Sequence, residues 1–328
     1  MKNNLKHIIN IFSTISILLL TCSANVFSYS YQKDTTYTVY QTYNKLKKNY
    51  PQIKIVYPVI SSKIKANEDV VYKTINTERS LHLDIYSPAK KGKYPALVMI
   101  HGGGWRSGNK VMERPMAQRI AENGFVAIPV EYRLSLEAKF PAAIQDIKTA
   151  IRFIKDNAEK YNIDTTRIAV EGESAGGHLA LMVAMTNNLS EFEEEQYGTK
   201  SSSTVHAAID VDGISSFLMP ESLKPDKKPD SPDAFWIGGT FPEEPLLWKA
   251  ASPLFYVGKN SVPVMYVCST QPRFHAGRDE LIDILNQNGI YSESHTIPDT
   301  PHSFWLFEPW FDTTQNFILD YLINVFGK

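Results

Sequence analysis

Cysteine is scarce in this chain and positive charge is not in excess. Only Cys22 and Cys268 occur among 328 residues, and Cys22 lies in a leader-like N-terminus, so no disulfide framework is implied. Lys and Arg number 34 against 35 Asp and Glu, a formal net charge of −1. With no basic stripe, nucleic acid is not an expected partner. Long apolar runs are also missing: residues 8–20 come closest, and Asn10, Ser13, Thr14 and Ser16 interrupt them, which leaves the run too short to span a bilayer comfortably. No internal repeat or low-complexity tract is visible.

What the N-terminus does contain fits a secretory signal over residues 1–28. Lys2 and Lys6 form a positive start, the interrupted apolar stretch follows, and Val26-Phe27-Ser28 suits a small-x-small cleavage site. Its removal takes two lysines and no acids, moving the formal net charge from −1 to −3. The expected location is secreted or periplasmic. A membrane partner is expected only if Cys22 is lipidated, and Thr21 before it fits a lipobox poorly.

Residues 29–65 form a polar, tyrosine-rich lead. Over residues 66–328, strand-like and helix-like segments alternate. Residues 70–74 and 81–86 read as a hairpin with period-two alternation. Residues 94–100 and 125–130 are continuous apolar runs, as in strands covered on both faces. Ile144, Ile147, Ile151 and Ile154 make a helical stripe, and Ile318, Tyr321, Leu322 and Val325 mark a closing helix. The fold class is α/β: a doubly wound, mostly parallel sheet with helices on both faces. Residues 217–248, rich in proline and charge, read as an insertion.

The chemistry concentrates in Gly172-Glu173-Ser174-Ala175-Gly176. An apolar run precedes it and a helix-period segment follows, so Ser174 sits at the apex of a strand–turn–helix, the geometry of a nucleophile elbow. His101-Gly102-Gly103-Gly104-Trp105 follows the strand at residues 97–100. Consecutive glycines let backbone N–H groups approach a developing oxyanion, and such donors are worth several kcal/mol in a dry site. The expected donors are Gly103, Gly104 and Ala175.

The HGGGW loop, Glu131-Tyr132-Arg133-Leu134 with Phe140-Pro141-Ala142-Ala143, and the GESAGG elbow resemble the hormone-sensitive-lipase-like α/β-hydrolases. The likeness is greatest to bacterial secreted carbohydrate esterases of the acetyl xylan and pectin type. It runs from about residue 66 to the C-terminus. It implies an α/β-hydrolase fold, a serine ester hydrolase using no cofactor or metal, and a small-molecule or polysaccharide ester substrate, specifically an acyl group on a plant cell-wall glycan. Exported serine peptidases and non-catalytic glycan-binding relatives share the scaffold and are the alternatives.

Serine needs an imidazole base. His302 lies after the last strand and before the closing helix, where the order Ser…acid…His places it. His178 reads as a structural partner behind the elbow, and His82 and His206 as structural strand residues. No histidine pair has zinc-motif spacing. The acid is less evident. Relatives carry an aspartate shortly after the strand at residues 262–267, but here the chain reads Cys268-Ser269-Thr270-Gln271-Pro272-Arg273. Asp279, the first acid afterwards, is favoured, with Asp212 and Asp299 as alternatives. Trp105 and Trp305 are expected at the pocket rim, where sugar rings can stack, and Arg133 and Arg273 are candidates to orient an acidic sugar.

Overall fold

The computed structural model describes residues 34–194, 200–224 and 226–327. The leader and Cys22 lie outside them. The described chain opens with α1 (Val39–Leu46) and β1 (Lys54–Ile55), then the long hairpin β2 (Ile64–Asn76) and β3 (Arg79–Pro88). There follow β4 (Tyr94–Ile100), α2 (Arg114–Glu122), β5 (Val126–Val130), α3 (Ala142–Asp156), α4 (Ala158–Tyr161), β6 (Ile163–Glu173) and α5 (Ala175–Met185). After β7 (Ala207–Val211) come the short helices α6 (Pro232–Ile237) and α7 (Pro245–Ala250). The chain closes with β8 (Val264–Cys268), α8 (Arg278–Gln287), β9 (Ser292–Thr296), β10 (Phe307–Glu308) and α9 (Phe311–Phe326).

Among the described residues the main sheet has eight strands in the order β2-β3-β5-β4-β6-β7-β8-β9. The β2–β3 and β3–β5 pairings are antiparallel and the rest are parallel. The order reverses around β4, and in such sheets ligands bind beyond the carboxyl ends of the strands.

Alternation persists even where every residue is buried. In β4, Ala96, Val98 and Ile100 enter one core with α3 and α5, while Leu97 and Met99 enter another with α2 and α9. The isoleucine stripe of α3 is fully buried, each such side chain contributing roughly 1.5–3 kcal/mol. The fold is the expected α/β-hydrolase arrangement. The segment expected as an insertion carries α6 and begins α7, and its Trp236 and Trp248 are wholly buried, so they belong to the core. A second, two-stranded sheet pairs β1 with β10, Lys54 opposite Glu308 and Ile55 opposite Phe307. It ties the lead segment to the chain just after His302. Among the described residues no helix is long and apolar enough to cross a membrane.

Candidate active site

Ser174 stands between the last residue of β6 and the first of α5, with φ 56° and ψ −118°, a strained conformation for a side chain with a Cβ. The turn is held because Ser174 N–H donates to the Val211 carbonyl at 2.8 Å. A Cβ on Gly176 would lie 1.9 Å from the Ile100 carbonyl oxygen, so glycine is required there for α5 to pack against β4.

Three side chains form one hydrogen-bonded line. Ser174 Oγ lies 2.8 Å from His302 Nε2, and His302 Nδ1 lies 2.8 Å from Asp212 Oδ2. Asp212 is fully buried, and its other oxygen accepts the Ser269 N–H at 2.7 Å. A carboxylate on Nδ1–H fixes the tautomer that leaves Nε2 free to accept a proton.

The expected acid therefore changes. Asp279 lies in the first turn of α8, its side chain 72% exposed and ion-paired with Arg278 at 2.8 Å. Asp299 is exposed. Asp212, one residue past β7, holds the histidine instead. Asp212 itself has φ 54°, a region aspartate tolerates better than most residues.

The glycine loop after β4 turns sharply. Arg106 and Ser107 N–H groups both donate to the Gly103 carbonyl, at 3.1 and 3.0 Å. Gly103 has φ 120°, and a Cβ there would sit 2.2 Å from the Ser107 carbonyl oxygen. A cavity of about 160 Å³ is lined by Gly104, Ser174, Ala175, Ile214, Phe274 and His302, among others. Ala175 N–H belongs to the first turn of α5, whose amides lack intrahelical partners, and it opens beside Ser174.

Neither predicted rim tryptophan is a rim residue. Trp305 is 2% exposed and meets the His302 ring edge-on at 5.1 Å, so it braces the histidine from below the surface. Trp105 reaches the cavity wall but is 4% exposed, stacked on Trp236 at 5.2 Å. Its indole N–H donates to His178 Nδ1 at 3.2 Å, while the other ring nitrogen of His178 donates to the Ala251 carbonyl at 2.7 Å. Burial pushes the His178 imidazole down to about 4, so it stays neutral and serves as the anchor of the glycine loop. Phe274, which sequence reasoning did not single out, stacks face-on upon His302 at 3.9 Å and 5°. Arg133 is held by buried Asp146 through Nε and a second nitrogen, both at 2.8 Å, a structural pair. Arg273 is half exposed on the cavity wall.

Glu113, Glu171 and Glu173 are buried behind the elbow, with ligand atoms within 4.8 Å of one another. Among the described residues theirs is the group close enough to share an ion. Burial pushes all three carboxyls up, Glu113 to about 7 and the other two well above their ordinary range. The raised carboxyls favour the protonated form, which weakens the mutual repulsion of three acids so close together.

A family model described as BD-FAE matches residues 83–284. The chain belongs to the BD-FAE family. The likeness to hormone-sensitive-lipase-like esterases read from the motifs agrees with this. Among curated relatives it is similar to esterase LipQ of Mycobacterium tuberculosis, 31% identical over 222 residues, 64% of this chain and 50% of LipQ. Esterase LipC of the same organism is 27% identical over 191 residues, 58% of this chain and 45% of its own length. The chain spans about half the length of these curated relatives. A solved structure described as a truncated form of a carbohydrate esterase from gut microbiota superimposes with a TM-score of 0.73 at 27% identity, covering 83% of this chain and 99% of that one.

Proposed function

We propose that this BD-FAE family member is a serine carboxylic-ester hydrolase that removes short acyl groups, acetyl above all, from plant cell-wall glycans. The observation that carries the reading is the Ser174–His302–Asp212 line, 2.8 Å at each step, beside the glycine loop. His302 Nε2 takes the proton as Ser174 Oγ attacks the ester carbonyl, and Asp212 stabilises the imidazolium. The oxyanion is held by backbone amides of Ala175, Gly104 and Gly103. His302 then protonates the departing alkoxide, leaving an acyl-serine and a free alcohol. Water, deprotonated by the same nitrogen, adds to the acyl carbon, and the carboxylic acid leaves as Ser174 regains its proton.

The cavity next to Ser174 supports a short acyl group, since about 160 Å³ is small beside ordinary ligand pockets of roughly 300–1,000 Å³. The likeness to a carbohydrate esterase supports the glycan. A complete acid–base–nucleophile line, with Asp212 on His302, supports a catalytic protein over a non-catalytic relative. Secretion rests on the leader pattern of residues 1–28. Ser174→Ala should abolish turnover of 4-nitrophenyl acetate while keeping the melting transition, and retained turnover would sink the assignment.

A further inference from the structure

Within that esterase reading, we infer that the N-terminal lead segment is the binding site for the alcohol half of the substrate, and that this half is an extended oligosaccharide. The lead is fastened to both loops that carry the chemistry. At its start, Asp34 bridges Ser107 and pairs with Arg106 at 3.0 Å, both in the glycine loop, and Tyr37 contacts Ser303, next to His302, at 3.4 Å. At its end, β1 pairs with β10, and Tyr50 meets Trp310 edge-on at 5.5 Å. α1, between these anchors, has no fully buried residue and rests Val39, Tyr43 and Leu46 on the second core, Tyr43 meeting Phe307 at 6.2 Å. This helix, seated on the core and lining the same groove as His302, forms a wall.

That wall and the segment after β8 enclose a second groove, of about 600 Å³. Its lining includes His302 but neither Ser174 nor Ala175. The two cavities thus meet at the histidine. An acyl carbon bonded to Ser174, with its oxygen on Ala175 N–H, has its remaining substituent in the smaller cavity. The leaving oxygen must receive its proton from His302 Nε2, so the alcohol continues past His302 into the groove.

The groove has the size of a ligand site rather than a gap for one ethyl or aryl group. Thr36, Thr42 and Gln271 supply hydroxyl and amide groups, and Tyr37 and Tyr50 supply ring faces with polar tips. Hydroxyl and amide groups match sugar hydroxyls, and tyrosine rings match the C–H faces between them. Leu46 and Pro301 add apolar surface for the same C–H faces, and Lys45 adds a positive charge.

The test compares kcat/KM for acetylated xylo-, manno- and galacturono-oligosaccharides with kcat/KM for 4-nitrophenyl acetate. Wild type should prefer at least one glycan ester. Gln271→Ala, Thr42→Val and Tyr50→Ala, each checked for an intact melting transition, should lower the ratio of that glycan ester to the aryl ester by about fivefold or more. Two results overturn the inference and leave the esterase reading standing: an enzyme active on 4-nitrophenyl acetate that favours no glycan ester, or variants whose ratio does not move. A wild type that turns over neither kind of ester overturns both.

Discussion

Replacing Asp212 with asparagine keeps the shape of the side chain and removes one acceptor, and the surroundings dictate the consequence. Ser269 N–H, 2.7 Å from Oδ1, needs an acceptor, and so does the proton on His302 Nδ1, 2.8 Å from Oδ2. Asparagine supplies only one. If its carbonyl serves Ser269, its NH2 faces Nδ1 and selects the tautomer with the proton on Nε2, which cannot accept from Ser174. The opposite orientation sets two donors against each other in a fully buried place, a penalty of about 1–3 kcal/mol that leaves about one molecule in six to one in 160 in it, and even there no carboxylate charge stabilises the imidazolium. The expected loss in kcat is on the order of 10³- to 10⁴-fold, with KM for 4-nitrophenyl acetate little changed. Asp279→Asn, which alters an exposed carboxylate, should stay within about twofold of wild type. Parallel steady-state kinetics decide it. A tenfold or smaller loss in Asp212→Asn, or an equal loss in Asp279→Asn, would refute the reasoning.

Glu113 gives a pH prediction. Burial raises its carboxyl to about 7 from an ordinary 4.5, so the folded state holds the proton more tightly than the unfolded chain. The associated stability is complete below about pH 4.5 and is lost as pH rises through about 7, an effect on the order of 3 kcal/mol. Glu113→Gln should therefore gain in melting temperature relative to wild type between pH 5 and pH 8, and a pH-independent difference would contradict this. Trp105→Phe removes the indole N–H donated to His178 and loosens the glycine loop. It should lower kcat by about tenfold with a smaller change in KM, measurable on 4-nitrophenyl acetate.

The parts of the site written in local patterns were legible in the sequence. An apolar run, a glycine-flanked serine and a helix-period segment follow one another directly, so the elbow is a short-range statement, as is a glycine cluster at a strand's end. Asp212 was ambiguous because its partner is 90 residues away, and which strand end faces His302 is set by sheet order. The signal available was an aspartate–glycine pair closing the apolar run at residues 207–211. The tryptophans were misplaced for a related reason: proximity in sequence to catalytic residues says nothing about which side of them a ring packs. The place of the lead was not legible because its anchors, Asp34 on Arg106 and β1 on β10, are long-range pairings that a polar stretch does not advertise.

Placing the acid after β7 also changes what the neighbouring loop is free to do. Ser174 and Asp212 stem from adjacent strands, and Ser174 N–H is bonded to the residue just before Asp212, so nucleophile and acid ride on one rigid ladder. The turn at Pro272–His275 is relieved of carrying a carboxylate, yet it still presents Phe274 and Arg273 to the cavity. Recomposing that turn while keeping Phe274, which stacks on His302, should alter which acyl groups are accepted and spare the proton relay. It is the natural place for this scaffold to diversify, by selection or by design.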